Sequence, residues 1–305
     1  MNQLPIITPI KWPESNNDIF LMREDLIPFS FGGNKARIAL EFVCDMKAKG
    51  CDCMIGTGTT SSNLCRALAS ACAQAGCPCH LVLFDSPPGD WHETFNLTLM
   101  EKSGAIIHKC RKDDTASVVS DIMAEASARG EKPYFMNGSP DGFGNEVTPL
   151  RAYAEIFRTI GDDYDYVFLP VGACMTVSGL IAGKARYGGK PKIVGISISR
   201  AEDRAVSFIR RYVDAYTAEY SLPPVPDSDI CFTDKYLCGG YGLCTPEIVS
   251  VIDEMWRLNA VPLDRTYTGK GFTGMLNYLK DNRISGSKVL YIHTGGTPLF
   301  FDGIR

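Results

Sequence analysis

Along this chain, short apolar runs rich in β-branched residues alternate with segments of helical periodicity. The runs CDCMIGTG (51–58), YVFLPVG (166–172) and KIVGISIS (192–199) are predominantly apolar, which predicts strands buried on both faces. Amphipathic segments of about 10 to 15 residues lie between such runs, as in SNLCRALASACAQAG (62–76), and predict helices. The alternation therefore predicts an α/β fold with two open, twisted, mostly parallel sheets and helices on both faces.

A long loop divides these elements into two series. The loop is FMNGSPDGFGNE (135–146), with one series near 45–135 and the other near 150–300. We therefore expect two domains. The loop either lines a binding cleft or only links the domains.

The first 45 residues carry a strand of their own, IFLMRED (19–25). We expect it to belong with the second series, because the helix predicted at 34–47 then carries the chain across to the first. This predicts a large domain of residues 1–45 and 145–305 and a small domain of residues 46–144.

The composition excludes several classes of protein. With 305 residues, 45% of them hydrophobic, and a formal net charge of −4, the chain can bury a large core. No window supplies the run of about 18 apolar residues that a membrane span needs. No block of Lys and Arg marks a surface for nucleic acid or anionic lipid. We expect a small-molecule partner and, since the N-terminal segment has no signal-peptide pattern, a cytoplasmic location.

Twelve cysteines are many for such a chain, but most of them fall inside apolar runs. There a free thiol acts as a small hydrophobic side chain, which is the simpler interpretation. The alternative is a metal site built from Cys51, Cys53, Cys77, Cys79 and His80. The C-x-C spacing does not favour a tetrahedral site, because alternate side chains of a strand point the same way. We therefore expect no metal.

Two junctions between a predicted strand and a predicted helix are rich in Ser, Thr and Gly. They are GTGTTSSN (56–63) and VGACMTVSG (171–179). The N-terminus of a helix attracts anions, because its free N–H groups and the helix dipole both favour negative charge. Neither segment has the glycine pattern of a nucleotide triphosphate or dinucleotide site. They are either anion sites or ordinary helix caps.

The segment FGGNKAR (31–37) is more informative. Two glycines give the backbone close access to a ligand, and Lys35 then stands at the start of an apolar helix. A lysine in a cleft loses solvation, and its pKa falls, which makes the neutral amine available for Schiff-base chemistry. The alternative is a solvated surface lysine.

Three glycine-flanked polar clusters lie near the C-terminus: GGYG (239–242), YTGKG (267–271) and HTGG (293–296). Tyr241 and Tyr267 can each offer a phenolic O–H for proton transfer, or can pack with a satisfied hydroxyl. We expect His293 to be a core residue at a strand end and Lys270 to be an ordinary surface charge.

In this order, and over nearly the whole chain, these motifs resemble the family of D-cysteine desulfhydrases and 1-aminocyclopropane-1-carboxylate (ACC) deaminases. These are pyridoxal 5'-phosphate (PLP) enzymes of fold type II, similar to the tryptophan synthase β subunit. The resemblance implies PLP as cofactor, a small amino acid as substrate, a homodimer, and an active site in the cleft between the two domains.

The resemblance also implies a role for each matching residue. Lys35 would form the Schiff base with PLP and then transfer protons. The implied catalytic residues are Lys35, Ser62, Tyr241 and Tyr267. The implied substrate-binding residues are Ser62, Asn63, Leu64, Tyr241 and Tyr267. The implied cofactor-binding residues are Lys35, Asn34, Asn63, Gly172, Ala173, Cys174, Met175, Thr176 and Thr268, with the loop 172–176 on the phosphate and Thr268 on the pyridine nitrogen.

The chain departs from the family's pattern in three places. Ile38 stands where the family usually has a basic residue, and Leu64 stands where it usually has His or Gln. The phosphate loop, which usually reads Gly-Ser-Gly-Gly-Thr, has Ala173, Cys174 and Met175 in its middle. Backbone N–H groups survive such changes, but a positive φ at Cys174 or Met175 costs about 1 kcal/mol or more.

Position 268 separates the two activities of the family. Members that open the cyclopropane ring tend to have Glu there, which keeps the pyridine nitrogen protonated, whereas Thr268 is neutral and resembles the desulfhydrase branch. We therefore expect β-elimination, with D-cysteine converted to pyruvate, sulfide and ammonia. The alternatives are ACC deamination, L-cysteate sulfo-lyase activity or cleavage of a related specialised-metabolite amino acid. A further alternative is a non-catalytic homologue that binds an amino acid.

Overall fold

The computed structural model of the protein describes residues 4–84 and 91–303. The strands in this part of the chain are β1 (Ile7–Pro9), β2 (Asp18–Arg23), β3 (Cys53–Gly58), β4 (Cys79–Phe84), β5 (Ile106–Cys110), β6 (Pro133–Phe135), β7 (Tyr166–Val171), β8 (Lys192–Ser197), β9 (Cys231–Thr233) and β10 (Lys288–His293). The α-helices are α1 (Asn34–Ala48), α2 (Asn63–Ala75), α3 (Phe95–Lys102), α4 (Thr115–Ala128), α5 (Thr148–Ile160), α6 (Met175–Tyr187), α7 (Glu202–Glu219), α8 (Pro246–Asn259), α9 (Thr268–Asp281) and α10 (Thr297–Gly303).

The strands form two sheets, as the alternating pattern predicts. One sheet has six strands in the order β1-β2-β10-β7-β8-β9, and all neighbours are parallel except β1 and β2. The other has four parallel strands in the order β5-β4-β3-β6. The predicted α/β class with mostly parallel sheets is thus confirmed.

Helix α9 packs very closely on the six-stranded sheet. A Cβ added to Gly271 would lie 2.6 Å from the Cβ of Pro170 on β7, and one added to Gly274 would lie 2.5 Å from Ile196 on β8. Phe272 and Met275 of the same helix belong to the buried cluster on this face. The glycines therefore let the helix approach strands that larger residues would hold away.

Internal contacts divide the chain into two compact units. The smaller unit is Lys35–Pro149 and contains the four-stranded sheet; the larger contains the chain up to Asn34 and from Leu150 onward, with the six-stranded sheet. The strand predicted at 19–25 is β2, which pairs with β10 in the larger unit, as expected. The expected domains grouped helix α1 with the larger unit, whereas its contacts group it with the smaller.

Helix α1 is held in the smaller unit by a buried polar network. The Tyr134 hydroxyl donates to the Asp45 carboxylate at 2.6 Å, and Asn145 Nδ2 donates to the Tyr134 hydroxyl at 2.6 Å and to the Met136 carbonyl at 2.9 Å. Thr148 in turn donates to Asn145 Oδ1 at 2.6 Å. The same network fixes the base of the loop 135–146, which is closed by a bridge between Gly138 and Gly144.

Five of the twelve cysteines are buried as the simpler interpretation predicts, and the other seven are partly or fully exposed. All twelve are free thiols, and Cys53, Cys65, Cys72, Cys79 and Cys174 are buried. Burial raises the pKa of Cys53 and of Cys65 to about 11, so both remain protonated at neutral pH. Within the described chain, no three His, Cys, Asp or Glu side chains converge to hold a metal ion, so the alternative site at 51–80 does not form. None of the described helices is long and apolar enough to cross a bilayer.

Two histidines share a hydrogen bond on the four-stranded sheet. His80 Nδ1 of β4 and His108 Nε2 of β5 lie 3.0 Å apart, with their rings stacked. Burial lowers the pKa of both side chains from 6.5, and for His80 the charge of His108 lowers the pKa further. Just below pH 6.5, the folded histidine pair therefore binds protons less readily than the same residues in the unfolded chain.

We expect the free energy of unfolding to fall as the pH drops from about 6.5 to about 5. Below about pH 6.5, the pKa of a histidine in the unfolded chain, the unfolded chain binds protons that the folded histidine pair does not. Acid therefore favours unfolding. Denaturant unfolding at several pH values measures this. The variant His108→Gln should flatten the dependence, whereas His92→Gln, at an exposed position, should not. Equal slopes in all three proteins would contradict the prediction.

Candidate active site

Lys35 follows a tight turn that requires glycine. Gly32 and Gly33 take positive φ values of 65° and 94°, and a Cβ added to Gly32 would lie 2.5 Å from the carbonyl oxygen of Asp25. Helix α1 begins at Asn34, so Lys35 is its second residue, and the lysine is half-buried. The prediction of a lysine at the start of a helix is confirmed.

Asn34 connects the residue before this lysine to two other segments of the larger unit. Its backbone N–H donates to the Thr294 carbonyl at 3.0 Å, and its side-chain Nδ2 donates to Thr176 Oγ1 at 2.7 Å. Asn34 is 8% exposed and Thr176 is 4% exposed, so the side-chain bond is buried. The Asn34 side chain is therefore fixed against the loop 172–176.

The loop 172–176 leads from β7 into helix α6. Cys174 takes a φ of 63°, a left-handed conformation that costs a residue with a Cβ about 1 kcal/mol or more. The first N–H groups of α6 have no acceptor within the helix, as at every helix start. The Thr176 hydroxyl accepts from Asn34 and so keeps its own hydrogen to donate.

The groups at this helix start fit a phosphate. They are backbone N–H groups and a hydroxyl that can donate, and the helix dipole adds positive potential. Ser178 Oγ, in the first turns of α6, is buried without a hydrogen-bond partner among the described residues. Arg200, which the sequence did not indicate, donates from Nε to the Gly172 carbonyl at 2.9 Å and adds a cation beside the loop. The departures at 173–175 leave these donors in place.

The second anion candidate lies at the start of helix α2 in the smaller unit. Ser62 is the N-cap, with its hydroxyl accepting from the Cys65 N–H at 3.2 Å, and Asn63 is the first helical residue. Leu64 is buried and Ser62 is half-buried. The Ser62 hydroxyl hydrogen and the first N–H groups of α2 can hold a carboxylate.

Asn96 of helix α3 supports this helix start and was missed from sequence. Its Nδ2 donates to the Asn63 side-chain oxygen at 3.0 Å and to the Ser61 carbonyl at 2.8 Å. Thr94 Oγ1 also donates to the Thr60 carbonyl at 2.7 Å. Helix α3 therefore orients the Asn63 side chain. This role of Asn96 is visible only from the packing of α2 against α3.

Tyr241 and Tyr267 form a pair. Their hydroxyl oxygens lie 2.9 Å apart, and the rings meet edge to face. Tyr241 is 44% exposed on its glycine-rich loop, and Tyr267 is half-buried at the start of α9. Burial, and then the neighbouring Tyr241, raises the pKa of Tyr267 well above 10. The Tyr267 phenol is therefore protonated at neutral pH and can give up a proton only to a strong base.

Thr268 is fully buried and bonded to Asp264. The Thr268 hydroxyl donates to Asp264 Oδ2 at 2.7 Å and accepts from the Asp264 N–H at 2.8 Å. Asp264 also accepts from the N–H groups of Thr266, Tyr267 and Thr268 at 2.9, 2.7 and 3.0 Å. The Thr268 hydroxyl can therefore only accept a hydrogen bond from a further group, and no sequence motif indicates the carboxylate behind it.

Lys270 contradicts the expectation of an ordinary surface charge. Its side chain is completely buried on α9, because the first two turns of this helix are enclosed. Nζ donates to the carbonyl of Gly240. His293 is a buried residue at the end of β10, as expected.

The two units hold different parts of the predicted site. In the larger unit, Asn34 contacts Thr176 directly, and Tyr241 contacts Tyr267. The smaller unit holds Lys35 and the start of α2 with Ser62, Asn63 and Leu64. Ile38, at the family's usual basic position, is buried and apolar.

Comparisons with known proteins agree with this architecture. Residues 3–295 match the family model described as "Pyridoxal-phosphate dependent enzyme". A crystal structure described as an ACC deaminase homologue has a TM-score of 0.84 at 25% identity, covering 99% of this chain and 93% of that chain.

Two other solved structures resemble the fold at lower identity. One is O-ureido-L-serine synthase, with a TM-score of 0.67 at 16% identity, covering 99% of this chain and 93% of that one. The other is a hydrogen sulfide-producing enzyme from Fusobacterium nucleatum, with a TM-score of 0.63 at 19% identity, covering 95% and 93%.

Asp264→Asn tests how the start of α9 is held. The amide has one acceptor oxygen in place of two, so at least one of the bonds to Thr266, Tyr267 and Thr268 is lost. We expect the free energy of unfolding to fall by about 1 to 3 kcal/mol, as for loss of charge-assisted hydrogen bonds. Denaturant unfolding measures it. Asp253→Asn, at an exposed position on α8, should change stability by less than about 0.5 kcal/mol. Equal stabilities of the two variants would overturn this explanation.

Proposed function

Because this chain belongs to the family of pyridoxal-phosphate-dependent enzymes, we propose that it is a lyase that eliminates the β-substituent of a small amino acid. The first candidate substrate is D-cysteine. With one water, D-cysteine gives pyruvate, hydrogen sulfide and ammonia. The observation that carries the proposal is the Tyr241–Tyr267 hydroxyl pair, because a protonated phenol can neutralise a sulfur anion as it leaves.

The cofactor would be held through its phosphate, its aldehyde carbon and its ring nitrogen. The donors at the start of α6 and the Thr176 hydroxyl would bind its phosphate, with Asn34 holding Thr176 in place. Lys35 would bind its aldehyde carbon covalently. Thr268 would accept a hydrogen bond from a protonated ring nitrogen. When bound, PLP supplies an electron-withdrawing ring that stabilises negative charge on the substrate's α-carbon.

The start of α2 would bind the substrate carboxylate. The Ser62 hydroxyl and the first N–H groups of the helix donate to it, and Asn96 keeps Asn63 oriented. Leu64 contributes an apolar surface where the family usually has a polar side chain. This favours a small substrate without a second polar group on that side.

The proton steps fall to the lysine and the tyrosines. Lys35 Nζ would take the α-proton, since a neutral amine is the strongest base available in the set. The Tyr241 hydroxyl would give a proton to the leaving sulfur, and the Tyr267 hydroxyl, 2.9 Å away, would donate a hydrogen bond to the phenolate until solvent returns a proton to the exposed Tyr241. The enamine that leaves the site then hydrolyses to pyruvate and ammonia.

ACC deamination is the second candidate. The structure described as an ACC deaminase homologue, at a TM-score of 0.84, supports it, as does the Asp264 carboxylate one hydrogen bond behind Thr268. That carboxylate gives position 268 part of the negative potential that a Glu would supply. L-Cysteate sulfo-lyase activity and a purely binding role are the remaining outcomes of the assay below.

A substrate panel separates these candidates. The protein is incubated with PLP and then with D-cysteine, L-cysteine, ACC or L-cysteate, and keto acid, sulfide, sulfite and ammonia are measured. We expect pyruvate and sulfide in equal amounts from D-cysteine. 2-Oxobutyrate from ACC without sulfide from D-cysteine would replace the first candidate with the second, and no turnover of any compound would favour the binding role.

Lys35→Ala tests the attachment of the cofactor. The wild-type protein should keep a visible absorption band after incubation with PLP and removal of the free cofactor, because Lys35 would hold PLP covalently. Lys35→Ala should lack the band and lose at least about a thousandfold in turnover, as expected when a nucleophile is removed. Lys47→Ala, at an exposed position on the same helix, is the control. A normal band in Lys35→Ala would contradict the assignment.

A further inference from the structure

Lys270 is a buried cation that the proposed reaction does not use. Its side chain has no exposed surface, and within the described residues it forms no ion pair with a carboxylate. Burial lowers the pKa of its ammonium group, and the thiols of Cys238 and Cys244 only partly oppose this effect. Burying an ammonium group without a counterion is costly, so a lysine here indicates a task for its donors.

The bonding partner of Lys270 indicates that task. Nζ donates to the carbonyl oxygen of Gly240, in the segment 238–244, here called the tyrosine loop. Its three glycines, Gly239, Gly240 and Gly242, have φ values of 90°, 142° and 74°. Within the described chain, no backbone group of residues 239–243 pairs with another backbone group. The bond from Lys270 is therefore the main-chain anchor that the structure provides for the middle of this loop.

The anchored residue directly precedes Tyr241. A carbonyl fixed at Gly240 limits where the Tyr241 backbone can move, and the Tyr241 hydroxyl meets Tyr267 at 2.9 Å. Tyr267 is fixed separately, because its N–H donates to Asp264 at 2.7 Å. Lys270 lies one helical turn beyond Tyr267 on α9. The start of α9 thus fixes both tyrosines, one through Asp264 and the other through Lys270.

We propose that Lys270 is a positioning residue that holds the tyrosine loop so that Tyr241 can transfer its proton. This inference rests on the proposed function for the role of Tyr241, whereas the anchoring itself does not. The requirement is for a donor that reaches the Gly240 carbonyl. A side chain of similar length without a donor should fill the same space and release the loop.

The first experiment measures the anchor without turnover. Limited proteolysis by chymotrypsin, which cuts after Tyr and Leu, is followed in PLP-loaded wild type and in Lys270→Met, which keeps the length and apolar stem of the side chain. Tyr241 and Leu243 are both exposed on the tyrosine loop. We expect the rate of cleavage after these two residues to rise about tenfold or more, because a loop must leave its folded position to enter the protease. Cleavage within the second half of α9 should not change. Lys280→Met, at the exposed end of α9, should match wild type. Unchanged cleavage of the tyrosine loop in Lys270→Met would overturn the proposal.

The second experiment tests the coupling to Tyr241 in a double-mutant cycle. With the substrate identified by the panel, Lys270→Met should lower kcat and kcat/KM about equally, by about tenfold or more, with KM little changed. In the Tyr241→Phe background the same substitution should cost less than about twofold, because the proton donor it positions is already gone. Equal losses in both backgrounds would show that Lys270 does not act through Tyr241.

Failure of the proposed function can be distinguished from failure of the Lys270 anchor. If no amino acid is turned over, the proposed function fails, and the proteolysis experiment still decides whether Lys270 anchors the loop. If Lys270→Met does not fold, Lys270→Gln and Lys270→Arg replace it. Arg, whose donors can reach the carbonyl, should show slower cleavage of the loop than the shorter Gln, and the reverse order would contradict the anchor.

Discussion

The buried hydrogen bond from Asn34 to Thr176 is the interaction on which the candidate site depends. It joins residues that are 142 positions apart in sequence, one directly before the predicted cofactor lysine and one in the anion loop. The Asn34 backbone is held at the same time by Thr294. Because Lys35 directly follows Asn34 in the chain, the bond from Asn34 to Thr176 limits how far the Lys35 backbone can move from the loop 172–176. A buried bond of this kind loses little to solvent competition.

The start of helix α9 is the second organising feature. Asp264 accepts from three successive N–H groups and from the Thr268 hydroxyl, so one carboxylate fixes Tyr267 and Thr268 together. Glycines in the next turn let the helix lie directly against β7 and β8. The start of α9 therefore holds Tyr267 and the Thr268 hydroxyl in fixed positions. Proton transfer needs groups that are held in fixed positions.

Much of the fold follows from the order of apolar runs. Runs such as 166–172 and 192–199 are short and predominantly apolar, and this pattern is typical of strands covered on both faces. The sequence likewise predicts the turn before Lys35 and the start of α1, because a turn with positive φ values favours glycine. The boundary between the domains is harder to predict from sequence. The hydrogen bond from Tyr134 to Asp45 that places α1 in the smaller unit connects residues far apart in sequence.

The parts of the site that sequence missed depend on packing between elements. Nothing near Lys270 predicts burial except the spacing of Gly269, Gly271 and Gly274, each of which has no room for a Cβ. That spacing indicates a helix enclosed on several sides, and a lysine within it has to be buried too. Asn96 and Arg200 carry no such local signature, because each acts on a loop from a different element.

The central claim is that the amine of Lys35 carries the cofactor. The most direct measurement is to load the protein with PLP, reduce it with sodium borohydride and map the modified peptide by mass spectrometry. The account predicts one modified lysine, at position 35. Modification at another lysine with Lys35 unlabelled, or no modification after loading, would contradict it.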